Sequence, residues 1–243
     1  MKVAAISDIH IKEPGDDADL LLQKFLDHPE VRSADYVMLL GDIFDLMCGP
    51  HEAYLRSFSH LFEKLKKLRD IGKKVYFFEG NHDVHLEKLF KKFWPREDVK
   101  PRQDPLVQEI DGKTYYFSHG DEHEVDNHAY QRYKTLILSP PLRFVANHVM
   151  PYSVLNFIGR RASRASRKKG SRTFDVEAVR EKFRSGVLKT TAGKYDFVLG
   201  GHSHVQDLHR YDTGTVYVNN GYALKSRTFI LIDGHAARFQ PLG

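Results

Sequence analysis

The sequence predicts an α/β layered fold with parallel strands. Strand-like apolar runs alternate with helical patterns along the first half of the chain, and each run stops at a polar, Gly- or Asp-bearing loop. With 243 residues, 41% of them hydrophobic and 12% aromatic, the chain can bury a substantial core and does not read as disordered.

Lys2–Ser7 is the first short apolar run. Tyr36–Leu40 is the second, ending at Gly41-Asp42, and Lys74–Phe78 is the third, ending at Gly80-Asn81. Helical patterns fill the intervals at about Ala18–Leu26 and Glu52–Arg69. In the second, Leu55, Phe58, Leu61, Phe62, Leu65 and Leu68 recur at helical spacing. Leu106–Ile110, an Asp111-Gly112 turn and Thr114–Phe117 read as a β-hairpin. Phe197–Leu199, Val216–Val218 and Phe229–Ile232 are three further strands. The stretch between the hairpin and Phe197 reads as helices broken at Pro140-Pro141 and Pro151.

The net charge of +5 hides a division. Asn127 to Phe174 holds no Asp or Glu in 48 residues, but ten bases: Arg132, Lys134, Arg143, Arg160, Arg161, Arg164, Arg167, Lys168, Lys169 and Arg172. The remainder of the chain is therefore acidic. A basic segment set into an acidic body either meets an anionic partner or is a solvated face. A single cysteine, Cys48, excludes an intramolecular disulfide and thiolate zinc sites, and reads as a packed thiol. No signal peptide and no run of 18 apolar residues is visible, so a cytoplasmic location is the expectation.

Functional groups in open α/β sheets gather beyond the carboxyl ends of strands. Here those loops read Ser7-Asp8-Ile9-His10, Gly41-Asp42-Ile43-Phe44-Asp45, Gly80-Asn81-His82-Asp83, Ser118-His119-Gly120-Asp121 and Gly200-Gly201-His202-Ser203-His204. Asp8 and His10, two apart in an extended segment, can share an ion; so can His202 and His204. Asp42 follows a glycine that permits a tight turn, and its two oxygens suit a bridge between two metals. Asn81 offers an amide oxygen. Oxygen and imidazole without sulfur suits Mn²⁺, Fe²⁺, Zn²⁺ or Co²⁺, and the set exceeds what one ion needs. Each piece alone is weak, because a lone Asp-x-His is more often a turn with a surface histidine. Five such loops in this order are specific.

The ordered set resembles the calcineurin-like metallophosphoesterase superfamily, whose pattern is D-x-H, G-D-x-x-D, G-N-H-D/E, a lone His and G-H-x-H. The resemblance spans Asp8 to His204 and implies a four-layer α/β/β/α sandwich. It implies that one metal is held by Asp8, His10, Asp42 and His204, and a second by Asp42, Asn81, His119 and His202. Two such ions activate water and neutralise phosphoryl oxygens. It further implies that His82 stabilises charge or protonates the leaving group, oriented by the Asp45 carboxylate as a His–Asp dyad. Asp83 and Asp121 fall to supporting or turn roles, and His85, His123, His128 and His148 are surplus to the ligand set, although His123 and His128 can still reach a substrate.

The whole chain, residues 1–243, is expected to be one domain, with residues 127–174 a basic, apolar helical cap inserted in it. Apolar helices with basic flanks suit an anionic amphiphile or a membrane surface, or else simply pack on the body. Ala129-Tyr130-Gln131-Arg132-Tyr133, the paired prolines and the Arg/Ser-rich run Arg160–Ser171 resemble the cap of UDP-2,3-diacylglucosamine hydrolases. That resemblance implies a manganese-dependent enzyme peripheral to the inner face of the membrane, with a lipid-linked anionic substrate. It places Tyr130, Arg160, Arg164, Ser166 and Lys169 against substrate beside Asn81 and His82, and implies no protein partner. Three features depart from the well-known branch. His82 stands where that branch has Arg, Val205-Gln206 where it has Arg-Pro, and Ala162 and Ser166 where its cap has Ser and Asn, with only Lys169 kept. Two other readings stand beside this one. One is a phosphatase or phosphodiesterase for soluble nucleotides or nucleic acid. The other is a membrane-binding module with a silent site.

Overall fold

The computed structural model describes residues 1–94, 101–155, 157, 174–234 and 236–243. Strands β1 (Lys2–Ile6), β2 (Tyr36–Leu39) and β4 (Lys74–Phe78) lie parallel and adjacent. With β6 (Pro101–Arg102), β12 (Thr228–Asp233) and β13 (Ala236–Pro241) they form a six-stranded sheet ordered β13-β12-β1-β2-β4-β6. A second sheet has the order β10-β11-β9-β8-β7. It is built from β7 (Leu106–Ile110), β8 (Lys113–Phe117), β9 (Phe197–Gly200), β10 (Asp207–Arg210) and β11 (Val216–Asn219). A small parallel pair joins β3 (Met47–Cys48) to β5 (Asp83–Val84).

The central strands are buried on both faces, so they read as continuous apolar runs rather than alternating ones. Their alternation still sorts the side chains. Val3, Ala5, Tyr36 and Met38 pack against Tyr115, Phe117, Leu199 and Val218 of the second sheet. Ala4, Ile6, Val37 and Leu39 point the other way, into a cluster with Leu21, Leu22, Phe25, Leu61, Leu65 and Phe90 from helices. The far face of the second sheet puts Tyr116, Val198 and Tyr217 against Val187 of a further helix. These three clusters define helix, sheet, sheet, helix: the four-layer α/β/β/α sandwich.

Local signals explain the elements. Helix α1 (Asp17–Asp27) starts where the Asp16 side chain accepts the Asp19 N–H, and buries Ala18, Leu21, Leu22, Phe25 and Leu26 along one stripe. Pro29 opens helix α2 (Pro29–Ser33), at the position where its missing N–H costs nothing. The β7–β8 hairpin turns on Asp111 and Gly112, both at positive φ as a type I′ turn requires. The single helix expected over Glu52–Arg69 is two: α3 (Glu52–Ser57) and α4 (Ser59–Asp70). The break is at Phe58, whose ring packs on Phe44 at 4.9 Å. It lets α3 turn toward Tyr152 through Tyr54 while α4 stays on the sheet layer beside α1. Helix α5 (Glu87–Phe93) adds Leu89 and Phe90 to the same core.

The helical run is interrupted at the paired prolines, as expected, and the prolines themselves open the next helix. Helix α6 (His128–Ile137) is followed by α7 (Pro140–His148), with Pro140 and Pro141 in the first turn. Ala146, Leu155, Ile137 and Met150 pack on Cys48 and Val84 of the small sheet. Cys48 is thus a packed thiol, and burial pushes its pKa up to about 12. Helix α8 (Val176–Thr190) then covers the second sheet, and α9 (Ala223–Ser226) leads into β12. No helix among the described residues is long and apolar enough to cross a membrane.

Helix α8 carries Gly186 where it crosses the His123 turn. A Cβ there would stand 1.8 Å from the His123 carbonyl oxygen. Gly186→Ala should therefore destabilise the fold by about 1–3 kcal/mol, despite the ~1 kcal/mol that alanine gains in helix propensity. Urea unfolding measures this. A raised midpoint would mean that α8 does not seat against that turn.

Candidate metal centre

The parallel strands deliver the five loops to one end of the sandwich. β1 ends at Asp8 and His10, β2 at Asp42, β4 at Asn81 and His82, β8 at His119, and β9 at His202 and His204. Five of these residues have backbones in the left-handed region: Asp8 (φ 51°), His10 (57°), Asp42 (52°), His202 (66°) and His204 (57°). Such conformations are uncommon outside glycine and gather at functional sites. Glycines make room at two contacts. A Cβ at Gly80 would lie 2.1 Å from Asp42 Oδ1, and one at Gly201 would lie 2.2 Å from Asp8 Oδ2.

Asp8, His10, Asp42 and His204 present donor atoms that all lie within 4.8 Å of one another. His10 Nε2 is 3.1 Å from His204 Nε2 and 3.8 Å from Asp42 Oδ2, and His204 Nε2 is 3.4 Å from Asp8 Oδ1. On the other side of Asp42, His119 Nε2 lies 3.6 Å from Asp42 Oδ2 and 3.3 Å from Asn81 Oδ1. His202 Nδ1 lies 3.0 Å from the same Asn81 oxygen. The seven residues thus fall into two groups that share Asp42.

The hydrogen-bond directions show that these groups fit cations. His119 Nδ1 faces the Leu40 carbonyl at 2.9 Å, and His202 Nε2 faces Glu124 Oε2 at 3.3 Å. Both partners only accept, so each neutral ring has its hydrogen on the outer nitrogen. The inner nitrogens are then lone pairs aimed at Asn81 Oδ1, itself an acceptor. Such an arrangement is repulsive until positive charge enters it. Burial alone would lower the pKa of His119, but the charges of Asp42 and Asp8 outweigh it and raise the pKa to about 9. Burial likewise works to raise Asp8 and Asp42, and the surrounding imidazoles bring both below the ordinary carboxylate range. Burial and the neighbouring His82 and His204 hold His10 down at about 4, despite the opposing charge of Asp42.

Asp83 organises the loop that carries Asp42. Its carboxylate accepts the backbone N–H groups of Asp42 (3.0 Å), Ile43 (2.8 Å), Phe44 (3.3 Å) and Gly80 (2.7 Å). Burial and the adjacent Asp42 push its pKa up to about 7, against the hydrogen bonds from Gly80 and Ile43. His82 donates its Nδ1–H to the Asp45 backbone carbonyl at 2.8 Å, which leaves Nε2 as the nitrogen that exchanges protons. The expected His–Asp dyad is therefore corrected in one respect: the hydrogen bond from Nδ1 goes to the main chain of Asp45. The Asp45 carboxylate stands 4.0 Å from His10 Nδ1. That carboxylate stays near His82 as well, with an oxygen within 4.8 Å of a His82 ring nitrogen, while the Asp45 N–H donates to the Ile11 carbonyl.

Tyr130, expected at the substrate, donates its hydroxyl to Asp121 Oδ2 at 2.8 Å and lays its ring 4.9 Å from that of His202. Asp121 also binds Lys134 Nζ at 2.8 Å, so it fastens α6 to the metal-ligand loops. His123 is buried against Thr190 Oγ1 at 2.8 Å, not poised for substrate, whereas His128 is exposed. His85 bonds the Ile137 carbonyl and His148 meets Lys88, both outside the cluster. Arg160, Arg164, Ser166 and Lys169 lie outside the described residues. Glu124, which reading the sequence passes over, contacts His202. It sits in no metal motif, and only its place five residues after His119 hints at it.

A profile of the calcineurin-like phosphoesterase family matches residues 1–206, and the chain belongs to that family. It is a metal-dependent phosphoesterase, and the family implies a dinuclear divalent metal centre. Over 238 residues it is 26% identical to UDP-2,3-diacylglucosamine hydrolase of Neisseria meningitidis serogroup C (strain 053442), covering 98% of this chain and 96% of that protein. The protein of that name from Aliivibrio fischeri (strain MJ11) is 25% identical over 87% of this chain and 85% of its own length. That from Pseudomonas aeruginosa (strain UCBPP-PA14) is 27% identical over 69% and 67%.

Two outcomes follow. Asp83→Asn places an amide NH₂ among four N–H donors, and should weaken metal binding by roughly 10–100-fold in a calorimetric titration while the fold survives. An unchanged affinity would show that the Asp42 loop holds itself. In the metal-free protein His119, with a pKa of about 9, is protonated at pH 7.5. Metal binding must displace that proton, so affinity should rise with pH up to about 9 and then level. Calorimetry in buffers of differing ionisation enthalpy should record about one proton released at pH 7.5; no release would contradict the assignment.

Proposed function

We propose that the chain hydrolyses the pyrophosphate of a lipid-linked nucleotide sugar such as UDP-2,3-diacylglucosamine, giving UMP and the lipid 1-phosphate. The reading takes Mn²⁺ as the metal, residues 127–174 as a cap over the site, and the inner face of the cytoplasmic membrane as the place of action. One observation carries it: the helices beside the metal ligands are apolar where a purely phosphate-binding site has no use for apolar surface. A small cavity of about 20 Å³ beside Asn81 and Gly80 has Val84, Tyr133, Ile137 and Leu138 in its wall, together with Glu79, Asp121 and Lys134. Beyond it Leu136, Phe144, Val149 and Phe157 are exposed, Phe157 by 66%. Basic side chains interleave them: Arg132 and Arg143 are exposed, and Lys134 is partly so. Such a surface suits an anionic lipid headgroup or acyl chains. The names of the relatives, of which the Neisseria meningitidis protein matches 98% of this chain, support the same substrate class.

Asp8, His10, Asp42 and His204 would hold one ion, and Asp42, Asn81, His119 and His202 the other. The metal pair, when bound, supplies an activated water and charge neutralisation at phosphorus. The chain's own residues do the rest. His82, its Nδ1–H anchored on the Asp45 carbonyl, offers Nε2 to hold a proton for the leaving oxygen. Its ring stands edge-on to His10 at 4.8 Å, so the proton is delivered beside the ligand cluster. Lys134, anchored on Asp121, brings positive charge to the cavity wall. Helix α6, fastened to the ligand loops through Asp121, restricts water on that side.

Purified protein with Mn²⁺ should release UMP from UDP-2,3-diacylglucosamine, and His82→Ala should lower turnover by roughly 10²–10⁴-fold while keeping its metal. No UMP at high enzyme concentration, together with turnover of a simple phosphodiester, would replace this reading with a phosphodiesterase for soluble substrates.

A further inference from the structure

His202 points its two ring nitrogens at different partners. Nδ1 lies 3.0 Å from Asn81 Oδ1, and Nε2 lies 3.3 Å from Glu124 Oε2. The rings of Tyr130 at 4.9 Å and Phe183 at 6.0 Å fix the plane of the imidazole, but neither selects which nitrogen carries hydrogen. A carboxylate does select, because it only accepts. We propose that Glu124 is a positioning residue for His202, holding the Nε2–H tautomer so that the Nδ1 lone pair stays directed at the second cation. The proposal rests on the two-ion reading of the site.

Glu124 is itself held from two directions. Oε1 accepts from Asn127 Nδ2 at 3.0 Å and from Lys182 Nζ. Asn127 caps α6, its Oδ1 accepting the Tyr130 N–H at 3.1 Å. Lys182 belongs to α8. One carboxylate therefore touches a metal-ligating imidazole with one oxygen, and the cap of α6 and the side of α8 with the other. The placement of these two helices and the readiness of the second ligand set are joined at this side chain. A metal-bound histidine commonly donates its remote N–H to such an acceptor, and loss of the acceptor weakens metal binding by about 10–100-fold.

The competing account is that Glu124 only ties α8 to the loop through Lys182, and the variants separate the two. Metal-stripped protein is titrated with Mn²⁺ by calorimetry, and the metal-free form is observed by ¹⁵N histidine NMR at pH 8. Wild type should take up two ions. Glu124→Ala should weaken one of them by about 10–100-fold and leave the other near wild type. Glu124→Gln, which keeps an oxygen acceptor, should recover most of the loss, and covers the case in which the alanine variant folds poorly. Lys182→Met, which keeps the carboxylate, should bind both ions near wild type. His202 should show the Nε2–H tautomer in wild type and a mixture in Glu124→Ala. Wild-type affinity for both ions in Glu124→Ala, an unchanged tautomer there, or equal losses in Glu124→Ala and Lys182→Met would overturn the proposal. Uptake of fewer than two ions by wild type would instead remove the two-ion reading beneath it.

Discussion

The structure depends on crowding two buried carboxylates and a set of imidazoles together at one end of the sandwich. Asp8 and Asp42 are buried among imidazoles, and the inner nitrogens of His119 and His202 converge on the Asn81 oxygen. Hydrophobic packing brings them together: each sits at the end of a strand whose body is locked between two apolar layers. The parallel order β1-β2-β4, with β8 and β9 opposite, puts all the loops at one end. The sandwich supplies the free energy that holds like groups in contact, and the raised pKa of His119 records the resulting demand for positive charge.

A network of outward hydrogen bonds keeps that arrangement ordered. Leu40 O takes the Nδ1–H of His119, Asp45 O takes that of His82, and Asp83 gathers four N–H groups around the Asp42 turn. Each fixes the direction of a side chain or a loop. Through Tyr130, Lys134 and Asp121, helix α6 is fastened to the same loops. Its polar bonds point inward, which leaves Leu136 and its exposed apolar neighbours on the outside.

Much of this was legible in the chain. The long buried strands, the Asp111-Gly112 hairpin and the five ligand loops each combine an apolar run with a local turn signal, and both are visible without tertiary contacts. What was not legible depends on those contacts. β3 and β5 are two residues each and exist because Met47–Cys48 runs beside Asp83–Val84, a pairing with no periodicity to read. β10 and β13 are sheet edges with charged residues, lacking a buried run. The break at Phe58 answers to Phe44 and Tyr152, both distant in sequence. Asp45 appeared as a carboxylate in a motif, but its main-chain oxygen makes the hydrogen bond to His82, and a motif does not distinguish main chain from side chain. Glu124 was missed because its partner lies 78 residues away.

The left-handed backbones at Asp8, His10, Asp42, His202 and His204 constrain which amino acids these positions accept. Aspartate, asparagine and histidine enter that region far more readily than branched or bulky residues do. For others the cost is roughly 1–2 kcal/mol per position. The residues that tolerate the geometry are also those that offer oxygen or imidazole to a metal. The loops thus impose a small alphabet before any ion is present. Drift at these sites is channelled toward exchanges within that alphabet, and conversion to a thiolate site would first require the turns themselves to be rebuilt.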